Sequence, residues 1–249
     1  MTALAIAAGA AVMAGAALQS ATGFGFALVS APLLFAATTP EQAIGLLLLL
    51  GLEVNLLTLA TEGRRPEPLR SDAARLLAWS LPGVAAGLVA LRSLDATTLQ
   101  VGVTIGVFAT LAVRHVANRR RAEAPHEPRW WAVPAAGLAS GALTTSTNTA
   151  GPPIVLYLLA RGARPVETRD TLTVTFVGLS LIGAAALAVS GTSGAVPGAA
   201  ALAALVPLTL LGHLAGRPVF AHLAEDRYEP VLTAVLVVAA VGGLLSALA

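Results

Sequence analysis

Hydrophobic positions in this chain come in long unbroken runs, and polar or glycine-rich breaks divide them into ten segments. The first five cover residues 2–20, 24–37, 41–61, 72–92 and 97–117; the second five cover 130–146, 151–161, 166–189, 196–217 and 228–248. A helix of about 20 apolar residues spans roughly 30 Å of hydrocarbon. The runs lack the strict alternation of lipid-facing barrel strands, so they predict helices. The second segment of each five is too short to cross. Each short segment follows a helix-breaking patch, Thr22-Gly23-Phe24-Gly25 or Asn148-Thr149-Ala150-Gly151-Pro152-Pro153. The first two segments of each five are therefore expected to form a hairpin that enters the membrane and returns to the side it left.

The two fives are also in register. At an offset of 125 positions, Ala21-Thr-Gly-Phe-Gly-Phe-Ala-Leu-Val-Ser-Ala-Pro-Leu-Leu34 lies over Ser146-Thr-Asn-Thr-Ala-Gly-Pro-Pro-Ile-Val-Leu-Tyr-Leu-Leu159 without a gap. Pro40 then meets Pro165, Pro82 meets Pro207, Gly87 meets Gly212 and Arg92 meets Arg217. A duplicated hydrophobic chain with helix breaks at matching points is the sequence sign of a secondary transporter. The predicted fold is an all-α integral membrane protein of two inverted repeats, each a re-entrant or broken-helix hairpin plus three transmembrane helices. The first repeat is expected over 1–117, a cytoplasmic linker over 118–129 and the second repeat over 130–249.

Composition agrees with a membrane solvent: 56% of residues are hydrophobic and 11% charged, against about a quarter charged in soluble domains, and the mean hydropathy is +0.80. All 15 basic residues are arginines, and their distribution fixes the expected orientation. If each hairpin returns to its starting side, every arginine except Arg92 falls on the cytoplasmic side, whereas parallel halves would put Arg161, Arg164 and Arg169 outside. The positive-inside rule favours the inverted arrangement in the cell membrane, with both termini extracytoplasmic. Arg92 and Arg217 then sit at opposite faces, either as gate charges or as helix-end arginines satisfying carbonyls and lipid phosphates. Trp130 and Trp131 fit an interfacial belt. Cysteine is absent, so no disulfide, thiolate metal site or cysteine nucleophile is available.

Chemistry is expected at the two hairpin tips. The segments starting near Phe26 and Pro152 would present helix N-termini, whose free N–H groups and partial positive charge complement an anion. Gly23, Gly25 and Gly151 permit close approach and unusual dihedrals. Six consecutive polar residues, Thr144 to Thr149, crowd the second tip, and Gln19, Ser20 and Thr22 the first. Neutral donors of this kind bind an oxyanion without the cost of a buried fixed charge; the same groups also cap helices and pack hairpins. The substrate-binding candidates are Gln19, Thr22, Gly23, Gly25, Thr147, Asn148, Thr149 and Gly151. Glu53, inside the segment 41–61, is either a proton-coupling carboxylate or a hydrogen-bonded brace. Glu167, Arg169 and Asp170 read as ion-pairing topology markers, and His213 as interfacial.

These residues resemble the sulfite exporter TauE/SafE family of membrane permeases. The resemblance rests on Gly23 to Leu34, on Ser146 to Leu159 and on the repeated layout across nearly the whole chain. Here Phe24 and Phe26 flank Gly25, and the second tip is threonine-rich where many members are richer in glycine. The resemblance implies transport of sulfite, a sulfonate, sulfoacetate or a related small anion. No His-Glu-x-x-His and no Gly-x-Ser-x-Gly occurs, and the Gly-x-Gly at the first tip lacks the context of a nucleotide fingerprint, so an enzyme is not expected. The expected function is secondary transport of a small anion by alternating access, with no cofactor or metal. The alternative is an anion channel whose selectivity comes from helix dipoles. Expected partners are the lipid bilayer and the anion, with a second copy of the chain as a candidate and no nucleic acid.

Overall fold

The structure, a computed structural model, describes residues 2–95, 98, 101, 130–192, 194 and 196–222. The linker 118–129 and the expected segments 97–117, apart from residues 98 and 101, and 228–248 lie outside them. Among the described residues the regular elements are helices: α1 Thr2–Thr22, α2 Phe26–Ala37, α3 Pro40–Thr61, α4 Arg70–Ser93, α5 Ala132–Ser146, α6 Gly151–Ala160, α7 Pro165–Val189 and α8 Ala199–His222. Five of them, α1, α3, α4, α7 and α8, are long and apolar enough to cross a membrane, while α2 and α6 are short apolar helices. Hydrocarbon offers no partner for a backbone N–H or C=O, so apolar runs satisfy themselves as helices and irregular backbone is confined to protein-lined sites.

Local chemistry explains where the helices stop. Gly23 and Gly25 adopt φ 86 and φ 112 between α1 and α2, a left-handed backbone that costs other L-residues about 1–2 kcal/mol each. Between α5 and α6 the left-handed residue is Asn148, at φ 56, one of the few side chains that tolerate that region. It stands 125 positions after Gly23. Gly151, by contrast, needs no left-handed φ; it starts α6, and a Cβ there would lie 3.1 Å from the Phe24 ring. Its absent side chain serves close approach of one tip to the other. Helix starts keep the same register, Phe26 with Gly151 and Pro40 with Pro165. Proline at these starts loses no helical hydrogen bond.

Packing interlocks the two halves. α4 lies on α5 and α1 on α8, the two most extensive helix pairs. A Cβ at Gly83 or Gly87 would fall on the carbonyl of Leu138 or Ala142, and one at Gly212 or Gly216 on that of Met13 or Ala17. The two pairs of carbonyls are 125 positions apart, whereas the glycines are 129 apart, so the second contact is displaced by about one helical turn. Both pairs run parallel. α3 and α7 run antiparallel, since Arg169 at the start of α7 pairs with Glu62 just past the end of α3, while Gly183 near the other end of α7 lies against Leu48.

Two apolar cores result. One gathers Phe26, Ile44, Leu91 and Leu187 around α3; the other gathers Phe24, Ile154, Leu172 and Leu179 around α6 and α7. The phenylalanines on either side of Gly25 thus enter different cores, which pins the first tip between them.

Candidate functional site

The two broken tips meet in one cavity of about 40 Å³, larger than the roughly 10–15 Å³ that a single water requires. Twelve of its lining residues form six pairs 125 positions apart: Gln19 and Thr144, Phe24 and Thr149, Gly25 and Ala150, Phe26 and Gly151, Gly51 and Phe176, Asn55 and Ser180. Ala27, Leu28, Asn148 and Leu179 complete the wall. Among the described residues the lining carries no charged side chain. Ala27 and Leu28 follow Phe26 in the first turn of α2, where N–H groups have no intrahelical acceptor. The start of α6 is poorer in donors because Pro152 and Pro153 have no N–H.

Five of the eight sequence candidates line this cavity: Gln19, Gly25, Asn148, Thr149 and Gly151. Gln19 is partly committed to the fold, because its Oε1 accepts from the Phe26 N–H at 3.0 Å and its Nε2 donates to Asn55 Oδ1 at 2.9 Å. Asn55 in turn donates to the Gly51 carbonyl at 2.7 Å. Gln19 therefore caps α2 and ties it to α3. Thr149 shares a 2.8 Å hydrogen bond with Thr147. Asn148 and Ser180 are different: among the described residues, neither side chain has a hydrogen-bond partner, and Ser180 is 6% exposed.

Thr22, Gly23 and Thr147 lie outside the lining and brace the tips from behind. The Thr22 hydroxyl bonds to the carbonyls of Leu18 and Phe24 at 2.9 and 2.7 Å, and Thr147 donates to Leu143 at 3.3 Å. Leu18 and Leu143 are again 125 positions apart. Gly23 packs on the stem of Arg169, with a Cβ there only 2.8 Å from Cγ.

Arg169 is itself a finding that sequence reasoning placed at a helix entrance and a topology boundary. It is 1% exposed, pairs with Glu62 and donates through Nη2 to the Ser20 carbonyl at 2.6 Å. A cation on the last carbonyls of α1 opposes the negative end of that helix. Beside it the buried His213 bridges Ser20 Oγ and Thr61 Oγ1 at 2.8 and 2.9 Å. The positions 125 away from Arg169, Glu62 and His213 are Ile44, Leu187 and Leu88, which belong to or pack on the first apolar core. The polar network thus has an apolar counterpart in the other half. An isolated sequence shows only that asymmetry of residue type, not that the three groups converge.

At the same end of the bundle, Arg64 makes two 2.7 Å hydrogen bonds to Asp170, and this carboxylate holds its guanidinium above the usual range. Asp72 joins Tyr157 and Arg161, each at 2.9 Å. Arg217 lies toward this end on α8, whereas Arg92 closes the other end by donating to the Ser190 carbonyl and Thr192. Neither lines the cavity. Glu53 does not either; its Oε2 is enclosed without a hydrogen-bond partner among the described residues.

Ser180, Asn55 and Phe176 were missed as cavity residues. The 125-residue offset, which lays Asn55 over Ser180, was the available signal.

Comparison of the chain with curated proteins and with solved structures found no match. A family model described as sulfite exporter TauE/SafE matches residues 7–242. Apolar helices with two broken hairpins meeting at an uncharged cavity, together with that match over nearly the whole length, place the chain in the TauE/SafE family of membrane permeases.

Proposed function

We propose that this permease moves a small anion, such as sulfite, a sulfonate or sulfoacetate, across the cell membrane by alternating access, with the cavity between the tips as its substrate site. The carrying observation is the lining itself: six residue pairs at the repeat offset face one space. In transporters built from inverted repeats, the site lies where equivalent broken helices meet, so that either half can open it to one side. Antiparallel packing of α3 on α7, whose starts are 125 positions apart, supports inversion of 1–117 relative to 130–249 about the linker 118–129. Clustering of Arg64, Arg161, Arg164 and Arg169 at the end opposite Arg92 supports a cytoplasmic assignment for that end and extracytoplasmic termini.

Arg92 and Arg217 serve as charges at the two mouths. Glu53 is the coupling candidate; it lies two residues, about 200° of helix, from both Gly51 and Asn55. Its protonation would act through α3 rather than by touching the anion.

The test is flux in proteoliposomes with sulfite, sulfate, sulfoacetate and a carboxylate, with and without a pH gradient. Saturation and counterflow identify a carrier, whereas current proportional to driving force identifies the channel alternative. Asn148→Gly, which keeps the left-handed backbone, and Ser180→Ala should insert normally and raise the half-saturating concentration about tenfold or more, as expected for losing a hydrogen bond to a charged group. Unchanged affinity and rate in both variants would remove the cavity from the mechanism. Glu53→Gln should abolish the pH dependence of uptake, and an unaltered profile excludes that residue from coupling.

A further inference from the structure

We propose that the cavity selects by charge number: among oxyanions of one size and shape it takes the singly charged form and rejects the doubly charged one. This rests on the anion-permease reading above and names the substrate class more narrowly.

The argument starts from what supplies positive potential. No charged side chain lines the cavity among the described residues, and behind the first tip Arg169 and Arg64 share Glu62 while Asp170 also pairs with Arg64, so two guanidinium groups face two carboxylates. What remains are the N-terminal ends of α2, 12 residues long, and α6, 10 residues long, both of which reach the lining through Phe26, Ala27, Leu28 and Gly151. A helix start carries about half a positive charge. Two of them supply about one charge in total, the complement of a monoanion.

A second negative charge gains too little there. The cost of stripping water from an ion rises with the square of its charge, so a dianion costs about four times as much to bury, while its attraction to a fixed potential only doubles. Neutral donors must cover the difference, and they are few. Ser180 is more than nine-tenths buried in the wall and, among the described residues, its hydroxyl has no hydrogen-bond partner; the Asn148 amide is similarly uncommitted among them. Gln19 already caps α2, Thr144 donates to Ser140, and Pro152 and Pro153 remove two N–H groups from the α6 start. The helix ends are thus joined by an independent, ligand-seeking hydroxyl, but, among the described residues, by no lysine or arginine that would hold a second charge.

For sulfite, which near neutral pH exists as both hydrogensulfite and the dianion, the transported species is then hydrogensulfite; sulfoacetate, whose sulfonate and carboxylate are both ionised near neutrality, falls outside this narrower class.

The experiment uses the intact chain in proteoliposomes and three probes. Methanesulfonate is a monoanion at every working pH; methylphosphonate has nearly the same shape and changes from monoanion to dianion around neutrality; sulfate is a dianion throughout. Each is tested for uptake and for competition with the other two across a pH series. Methanesulfonate should be taken up at all pH values, methylphosphonate should match it in mild acid and weaken about tenfold or more once doubly charged, and sulfate should compete poorly throughout. Methanesulfonate, whose charge does not change, corrects for pH effects on the protein itself. Equal or better binding of sulfate and of dianionic methylphosphonate overturns the charge selection and leaves the anion permease standing. If no anion of either charge moves or competes, both fall.

Discussion

Gly23 and Asn148 stand 125 positions apart and hold the same left-handed backbone, at φ 86 and φ 56, yet their demands differ. Gly23 has the stem of Arg169 against it, so Gly23→Ala combines backbone strain of about 1–2 kcal/mol with a clash. It should lower the thermal midpoint in detergent more than Gly151→Ala, which needs no left-handed backbone and brings a Cβ to 3.1 Å from the Phe24 ring rather than 2.8 Å from a side chain. Asn148 has open cavity beside it. Asn148→Gly keeps the backbone and removes the amide, so thermal stability should stay near wild type while anion affinity falls; equal loss of both would make Asn148 a purely structural residue. The polar run Thr144 to Thr149 was legible as a feature but not as a set of roles. Thr144, Ser146 and Thr147 each bond to a carbonyl of their own helix four residues back, and Thr145 bonds to Val84 of α4. A hydroxyl in an apolar medium takes the nearest acceptor. Only the facing of the last turn leaves Asn148 and Thr149 toward the cavity, and that facing depends on where α5 ends.

At the scale of elements, the broken helices were legible because glycine and proline act locally, and the observed helix limits follow the apolar runs closely. The partners of the broken ends were not. The start of α2 is capped by Gln19 from the preceding helix, and the end of α1 is held by Arg169 from α7, contacts set by three-dimensional packing. The Glu62–Arg169 pair offers a test that the chain itself suggests. Removing one member leaves a buried uncompensated charge, which costs about 3–5 kcal/mol, whereas replacing both by apolar residues is often neutral. Glu62→Leu and Arg169→Ile should each destabilise the protein strongly, and the double variant should recover most of the loss, because Leu187 and Ile44 occupy the same two positions in the other half. Additive losses in the double variant would mean that the pair contributes through separate contacts. In α4 and α5, Gly141→Leu places a side chain on the Ser80 carbonyl and should prevent their close packing, read as loss of the folded species in size-exclusion chromatography.

For the whole molecule, absence of cysteine makes single-cysteine labelling free of background. Glu67→Cys, in the loop after α3, and Thr192→Cys, in the loop after α7, should react with an impermeant maleimide from opposite faces of oriented vesicles; labelling from one face would end the inverted topology. Ser180→Cys should be reached from either face in turn and be protected by substrate. The sequence by itself determined the solvent, the helices that the described residues contain, the two breaks, the 125-residue offset and, through arginine placement, an expected orientation, since hydropathy, backbone chemistry and leaflet charge act on residues near one another in the chain. Only the tertiary structure decided which polar groups meet: the six residue pairs around one cavity, Ser180 without a partner among the described residues, and the convergence of Glu62, Arg169 and His213 behind a single tip. Those contacts join residues up to 193 positions apart, and helix rotation and register, which set them, follow from the packing of whole helices against one another.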